Sequence, residues 1–372
     1  MAAGYSLKDD LFNQETVSRL GQEFQDAGVF KADPFVDTVM AGLAPLELKA
    51  RIAWIAEVLE DFLPRDFPAA AKAIHAALPP PLDPTLTDDD FGHFIHAPLG
   101  VYVENHGLER YVGTSLDLLE AITQRFSMEF SIRAFLNTHQ AATLERMQVW
   151  ATHQNYHVRR LVSEGTRPKL PWGQKVGLTR EQTLPLLDML HADPTRFVTR
   201  SVANHLNDIT KTAPDIVITQ LEAWQKADAQ NGKELDWMRR HTLRGLIKAG
   251  HAGAMAHLGY DANLDVTVEM FEIVPTTIDR GDTAEISATF TTEADAPLIV
   301  DYVIDFVKAN GSTSPKTSKW KVLEVKGGKP VSLKKKHVFK ANATTFTLHP
   351  GRHAVSLMIN GQTVARRDFM LN

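Results

Sequence analysis

At 372 residues, 44% hydrophobic and 23% charged, the chain has an ordinary globular composition and is long for one core, which excludes disorder and predicts two domains. The absence of cysteine excludes disulfides, thiol nucleophiles and thiolate metal sites. The net charge of −5 conceals a split, with 8 Lys+Arg against 20 Asp+Glu in residues 1–120 and 32 against 25 beyond, so a polyanionic partner stays open.

The opening "MAAGYSLKDDLFNQ" has no basic segment followed by an apolar one, and no run approaches the roughly 20 apolar residues of a membrane span. A cytoplasmic protein, with no membrane partner, is expected. From Leu7 to about Tyr260 the text reads as helices. In "LKARIAWIAEVLEDFL" (Leu48 to Leu63) apolar residues recur three and four apart, and "PRDFPAA" and "LPPPLDP" punctuate the helices with proline. The same spacing returns in "SLDLLEAITQRF" and "TLPLLDML". Asp88-Asp89-Asp90 reads as a helix cap or loop. His153 and His157 in "HQNYH" stand one turn apart, but Gln154 occupies the place of a zinc protease's glutamate and no third ligand is evident. They read as packing or surface histidines, and no metal or other cofactor is expected.

Within the helical part lies a repeat. "HVRRLVSEG" starts at His157, "FVTRSVANHLND" at Phe197 and "WMRRHTLRG" at Trp237, 40 residues apart twice over. A helical period of that length is the mark of HEAT-like units stacked into a solenoid. Arg160, Arg200 and Arg240 fall in register, and one turn later come Glu164, Asn204 and Arg244. Asp208 and Lys211 follow in the middle repeat. A row of arginines on a concave face suits phosphate oxygens. Carboxylates beside them would repel a polyanion, so they are either ion-paired to those arginines or have chemical work. Glycosidic cleavage offers such work, because a fixed carboxylate stabilises an oxocarbenium-like sugar and orients water.

Near Leu264 the texture changes to alternating Val-, Ile- and Thr-rich stretches, with an Asn360-Gly361 hairpin signal near the end. Some seven short strands predict an immunoglobulin-type β-sandwich. The fold class is therefore an all-α HEAT-like repeat solenoid, residues 1–262, followed by an all-β immunoglobulin-like sandwich, residues 263–372. From Lys308 to Lys340 the sandwich has 10 lysines and one acid, Glu324. Lys326 and Lys329 in "KGGKP" and Lys334, Lys335 and Lys336 in "LKKKH" either guard an edge strand or make a second DNA contact.

"VRRLVSEGTRPKLPWG", followed by "RSVANHLNDITK" and preceded by "MEFSIRAFL" and "LKARIAWIAEVLEDFLPRDFPAA", resembles the AlkC family of bacterial DNA alkylation-repair glycosylases. The resemblance covers roughly residues 7–260, and the sandwich is similar to the immunoglobulin-like extension of some members. It implies removal of cationic N-alkylated bases, 3-methyladenine and 3-methylcytosine, from double-stranded DNA without base extrusion, as in the related AlkD proteins. It also implies Glu129, Glu164 and Asp208 as catalytic carboxylates, with Glu164 facing the deoxyribose and Trp172 presenting an aromatic face to sugar or base. Arg159, Arg160, Arg167 and Lys169 are then phosphate contacts, and Pro168 and Pro171 stiffen the turn. A monomer is expected. The rival readings are a non-catalytic HEAT-repeat scaffold and a protein that binds DNA structure without chemistry.

Overall fold

A computed structural model describes residues 6–88, 90–341 and 346–372, so Asp89 lies outside the described residues. The first helices are α1 (Leu7–Leu11), α2 (Gln14–Asp26), α3 (Ala32–Leu43), α4 (Leu48–Phe62) and α5 (Phe67–Ala77). After a 3₁₀ turn (Phe94–His96) come α6 (Ala97–Gly107), α7 (Val112–Thr123), α8 (Ile132–Thr138), α9 (Gln140–Trp150) and α10 (Tyr156–Gly165). The series closes with α11 (Arg180–Leu190), α12 (Arg196–Ile209), α13 (Pro214–Ala227), α14 (Gly232–Lys248) and α15 (Ala252–His257). Neighbours pack in order, α2 on α3, α3 on α4, α4 on α6, α6 on α7, then α10 on both α11 and α12. Local stacking of this kind is how helical repeats bury a continuous core. The three 40-residue starts fall on α10, α12 and α14.

Local chemistry sets the helix ends. Asn13 caps α2 by accepting from the Glu15 and Thr16 amides, and Asp66 caps α5 through Ala69 N. Asn155 caps α10, its side chain accepting from His157 N at 2.9 Å. On α10 the apolar Val158, Leu161 and Val162 are fully buried, which fixes the face that turns to the core.

The strands are β1 (Val266–Val274), β2 (Thr277–Ile278), β3 (Thr283–Thr292), β4 (Ala296–Val307), β5 (Thr313–Val325), β6 (Val331–Val338), β7 (Gly351–Ile359) and β8 (Gln362–Leu371). They form a three-stranded sheet, β1-β3-β6, and a five-stranded sheet, β2-β8-β7-β4-β5. Phe271, Ile286 and Phe290 of the first sheet and Val300, Leu357 and Phe369 of the second belong to one apolar core, the arrangement of a sandwich. Asn360 and Gly361 have φ of 45° and 82°, and Ile359 pairs with Gln362 across them, the two-residue turn that Asn-Gly favours. Asn360 is buried because its side chain also accepts from Ile299 N and donates to the Asp261 and Pro297 carbonyls.

By packing, the chain divides into two compact units, residues 1–211 with 223–241, and residues 212–222 with 242–372. Helix gives way to strand between His257 and Val266. Compactness therefore groups the last helical turns with the strands, whereas a boundary at 262/263 follows the change of secondary structure.

Candidate active site

Arg133 on α8 is 1% exposed and organises the segment after α10. Its guanidinium donates to the carbonyls of Gly165 (2.7 Å), Arg167 (3.0 Å) and Gln174 (2.5 Å). Gly165 is needed for this approach, since a Cβ there would lie 2.7 Å from Ile132 Cγ2. The held segment returns at Leu170, where Gly173 N donates to Leu170 O around Pro171 and Trp172. Trp172 has φ of 65°, the left-handed value that the third residue of a type II turn requires and that glycine ordinarily supplies. Its ring is 57% exposed, and its carbonyl accepts from Lys49 Nζ at 2.8 Å.

The three expected carboxylates join a single alternating chain of charges. Arg160 Nη1 donates to Glu129 Oε2 at 2.8 Å, and Arg160 Nη2 lies 3.6 Å from Glu164 Oε2. Arg167 donates to Glu164 Oε1 (2.5 Å) and to Asp208 Oδ2 (3.1 Å), and Lys211 Nζ to Asp208 Oδ1 (3.2 Å). Ser201 Oγ donates to Glu164 Oε2 at 2.6 Å, Ser127 Oγ to Glu129 Oε2 at 2.9 Å and the Lys169 amide to Asp208 at 3.3 Å. Burial pushes the Glu164 carboxyl up, but Arg160, Arg167 and the Ser201 hydroxyl outweigh it and hold it below the usual range. Burial likewise opposes the Arg160 charge, and Glu129 and Glu164 reverse the effect, raising its pKa. The chain is thus ionised throughout its centre, and its alternation offsets the cost of taking charges from water.

The carboxylates differ in access. Side-chain exposure is 16% for Glu129, 6% for Glu164 and 4% for Asp208. Both oxygens of Glu164 and of Asp208 are engaged, whereas Glu129 Oε1 has no hydrogen-bond partner among the described residues. The sequence reading aims Glu164 at the sugar. In the fold that carboxylate is turned into the ion-pair chain by the two arginines on either side of it, and Glu129 keeps the open oxygen.

The basic residues also divide. Arg159 commits Nε and Nη2 to Asp193 (2.5 and 3.1 Å) and Nη1 to the His153 and Gln154 carbonyls, so it ties the start of α10 to the loop before α12. The sequence reading offers Arg159 and Arg160 as phosphate contacts or one of them as the partner of a neighbour, and Arg159 is the one whose guanidinium nitrogens all bond within the protein. Arg160, Arg200 and Arg240 share a helix position but not their surroundings. Side-chain exposure climbs from 13% to 30% to 48% along the series, and their carboxylate partners are Glu129 with Glu164, Asp88 and Asp236. The Arg160 guanidinium also lies 4.5 Å from the Phe197 ring centroid. Asn204 accepts from His241 Nε2 at 2.9 Å, Arg244 is half-buried in the second unit, and the Lys169 side chain is exposed. His157 is buried against Tyr156 and Phe197, and burial pushes its pKa down to about 4. His153 Nδ1 accepts from Asn155 N, so the two histidines serve packing and helix capping.

Several participants escaped the sequence reading. Asp88 pairs with Arg200, Phe91 packs edge-on to Phe197 and Phe197 N donates to Thr87 O, which lays the acidic loop across the start of α12. Arg133, Ser127, Ser201 and Lys49 are equally unannounced, because each acts through contacts across 32 to 123 positions of chain or through an ordinary-looking helix position.

In the second unit Lys326 pairs with Asp295 (2.6 Å) at a loop, and Lys334 with Glu285 (2.9 Å). Lys329, Lys335 and Lys336 are exposed. β6 is an edge strand, and its register sets Lys336 opposite Glu285 and Lys335 opposite the buried Ile286. The run of three lysines therefore projects to both faces of the sheet.

A helical-repeat unit carrying a buried chain of arginines and carboxylates and an exposed tryptophan, followed by an immunoglobulin-like sandwich, defines the class. Residues 267–372 match the family described as "Uncharacterised protein YhaZ, C-terminal Ig-like domain". The uncharacterised protein YhaZ of Bacillus subtilis (strain 168) is 30% identical over 371 residues, covering 97% of this chain and 98% of that one. The structure of Pseudomonas fluorescens alkylpurine DNA glycosylase AlkC, bound to DNA containing an abasic site analog, aligns with a TM-score of 0.87 at 32% identity. That alignment covers 99% of this chain and all of the other. The chain belongs to the AlkC family.

Proposed function

We propose that the protein is a DNA glycosylase of base excision repair that hydrolyses the N-glycosidic bond of cationic N-alkylated bases, 3-methyladenine and 3-methylcytosine among them, in double-stranded DNA. The observation that carries this reading is the Glu129–Arg160–Glu164–Arg167–Asp208 chain, which gathers three carboxylates on two arginines. The DNA-bound AlkC relative supports it. A cationic base departs as a neutral molecule, so no general acid is required. The demand falls on stabilising positive charge at the sugar and on supplying water. Glu129, with its open Oε1, is the carboxylate that meets the sugar cation or the water. Glu164 and Asp208 hold Arg160 and Arg167 in place and add to the negative potential. Trp172 lays its ring against the lesion, which stays in the duplex and is not extruded. Lys169, Arg200, Lys211, Arg240 and Arg244 contact backbone phosphates, with the lysines of the sandwich as a further contact.

The test is base release from methylated duplex together with duplex affinity. Glu129→Gln keeps shape and removes charge, so excision should fall by about 10²–10³ with affinity retained. Glu164→Gln and Asp208→Asn should lose excision as well, through the displaced arginines. Parental rates in all three variants would sink the carboxylate mechanism.

A further inference from the structure

Next to the charged chain is a pocket of which the mechanism above uses only Trp172. It has a volume of about 310 Å³, the small end of ligand sites, suited to one ring system and not to a large cofactor. Four aromatic side chains, Phe94, Phe126, Phe130 and Trp172, line it among aliphatic ones, and Ser127, Met128 and Phe130 bring the segment around Glu129 into its lining. The helix that supplies the far wall comes close because Gly100 has no side chain, since a Cβ there would meet Ser131 Oγ at 2.5 Å. From that helix Ala97, Val101 and Glu104 line the pocket at helical spacing, so a carboxyl group joins a mainly apolar lining whose other polar side chains are Lys49, Ser127, Ser131 and Gln174.

We propose that this pocket receives the freed N-methylated base, with Glu104 pairing to an edge made of one ring nitrogen and the adjacent amino group. The inference rests on the glycosylase reading and names where its product goes. The aromatic walls select a flat ring. Once the glycosidic bond breaks, a methylated adenine is neutral and has regained a basic nitrogen. The Glu104 hydroxyl donates to N7, the ring nitrogen beside the amino group, and the second carboxyl oxygen accepts from that amino group. One proton is shared and nothing else is consumed.

The protonation state fits that role. Burial pushes the Glu104 carboxyl up to about 7, opposed only by the Ser131 hydroxyl. No basic side chain pairs with Glu104 among the described residues. The charged groups of the surrounding elements are occupied elsewhere. Lys49 of α4 donates to Trp172 O, Glu60 of α4 and His106 of α6 pair together, and His96 pairs with Glu23. Glu129 pairs with Arg160, and Asp117 and Glu120 of α7 with Arg146. Glu104 is thus only partly ionised at neutral pH, and the protonated form predominates below it. Since it binds the base while protonated, affinity must fall as pH rises through about 7.

The experiment is calorimetric titration of the full chain, without DNA, with free 3-methyladenine at pH 6.5 and pH 8. Binding should be about tenfold weaker at pH 8, with net proton uptake there. Glu104→Leu should lose about tenfold or more at pH 6.5. Glu104→Gln, which can still pair but cannot titrate, should bind with no pH dependence above 7. Absence of binding, parental binding that is flat with pH, or affinity untouched in Glu104→Leu would overturn the assignment. Excision from methylated duplex separates the two readings. Intact excision without free-base binding removes the pocket alone, and binding without any excision removes the glycosylase.

Discussion

Trp172 occupies a backbone conformation that costs a residue with a side chain roughly 1–2 kcal/mol relative to glycine. More than half of its ring is exposed, so burial does not repay that cost. Strain kept without a packing return marks a position held for what the side chain does. Trp172→Gly should therefore leave thermal stability unchanged or slightly raised while excision drops at least about tenfold, measured by melting curves and base release. A clear loss of stability with excision preserved would make the ring a structural element. The sequence made Trp172 conspicuous but held no hint of its φ, which depends on Arg133 and Lys49 gripping the segment from other helices. Glu104 was invisible for the same reason. A glutamate on a helix reads as solvent-facing until the elements that surround it are in place.

At the scale of elements, period and register were legible, because helical spacing and a 40-residue repeat are one-dimensional signals. The partners of the repeated arginines were legible only where they lie one turn away, as Glu164 does for Arg160 and Asp236 for Arg240. They were not where they come from elsewhere, as Glu129 of the Ser127–Ser131 segment and Asp88 of the loop before the 3₁₀ turn do. That loop's aspartates read as a helix cap or loop, and Asp88 stands on Arg200. A carboxylate there occupies the guanidinium that a phosphate would use, so DNA must compete with it. Exposed pairs of this kind contribute up to about 1 kcal/mol, which sets the scale of the competition. Asp88→Asn should tighten duplex binding by up to about fivefold in a salt-dependent manner, as read by titration at two ionic strengths. Weaker binding in the variant would show that the loop orders Arg200 and does not mask it.

Over the whole molecule, charge is the property the sequence displayed most openly and placed least well. The acidic excess of residues 1–120 and the basic excess beyond them were countable, as was the lysine-rich stretch of the sandwich. Which of those lysines can act together depends on register. Lys335 and its neighbours lie on an edge strand and project to both faces, so edge protection accounts for them without any ligand. Lys329 belongs to the loop between β5 and β6, where no ladder needs guarding, so that explanation does not extend to it. If the sandwich binds DNA, Lys329→Glu should weaken duplex affinity and lower the slope of log affinity against log salt by about 0.9 for each phosphate that the lysine neutralises. Excision at saturating enzyme should hold, since the lysine is remote in sequence from every carboxylate of the charged chain. The paired change Lys335→Glu and Lys336→Glu discriminates the two accounts of the strand. Either sign of charge guards an edge, so pure edge protection predicts unchanged affinity, whereas phosphate binding predicts weaker affinity still and a flatter slope. Unchanged affinity and slope in both the loop and the strand variants would retire the sandwich as a DNA-binding surface and leave binding to the helical repeats.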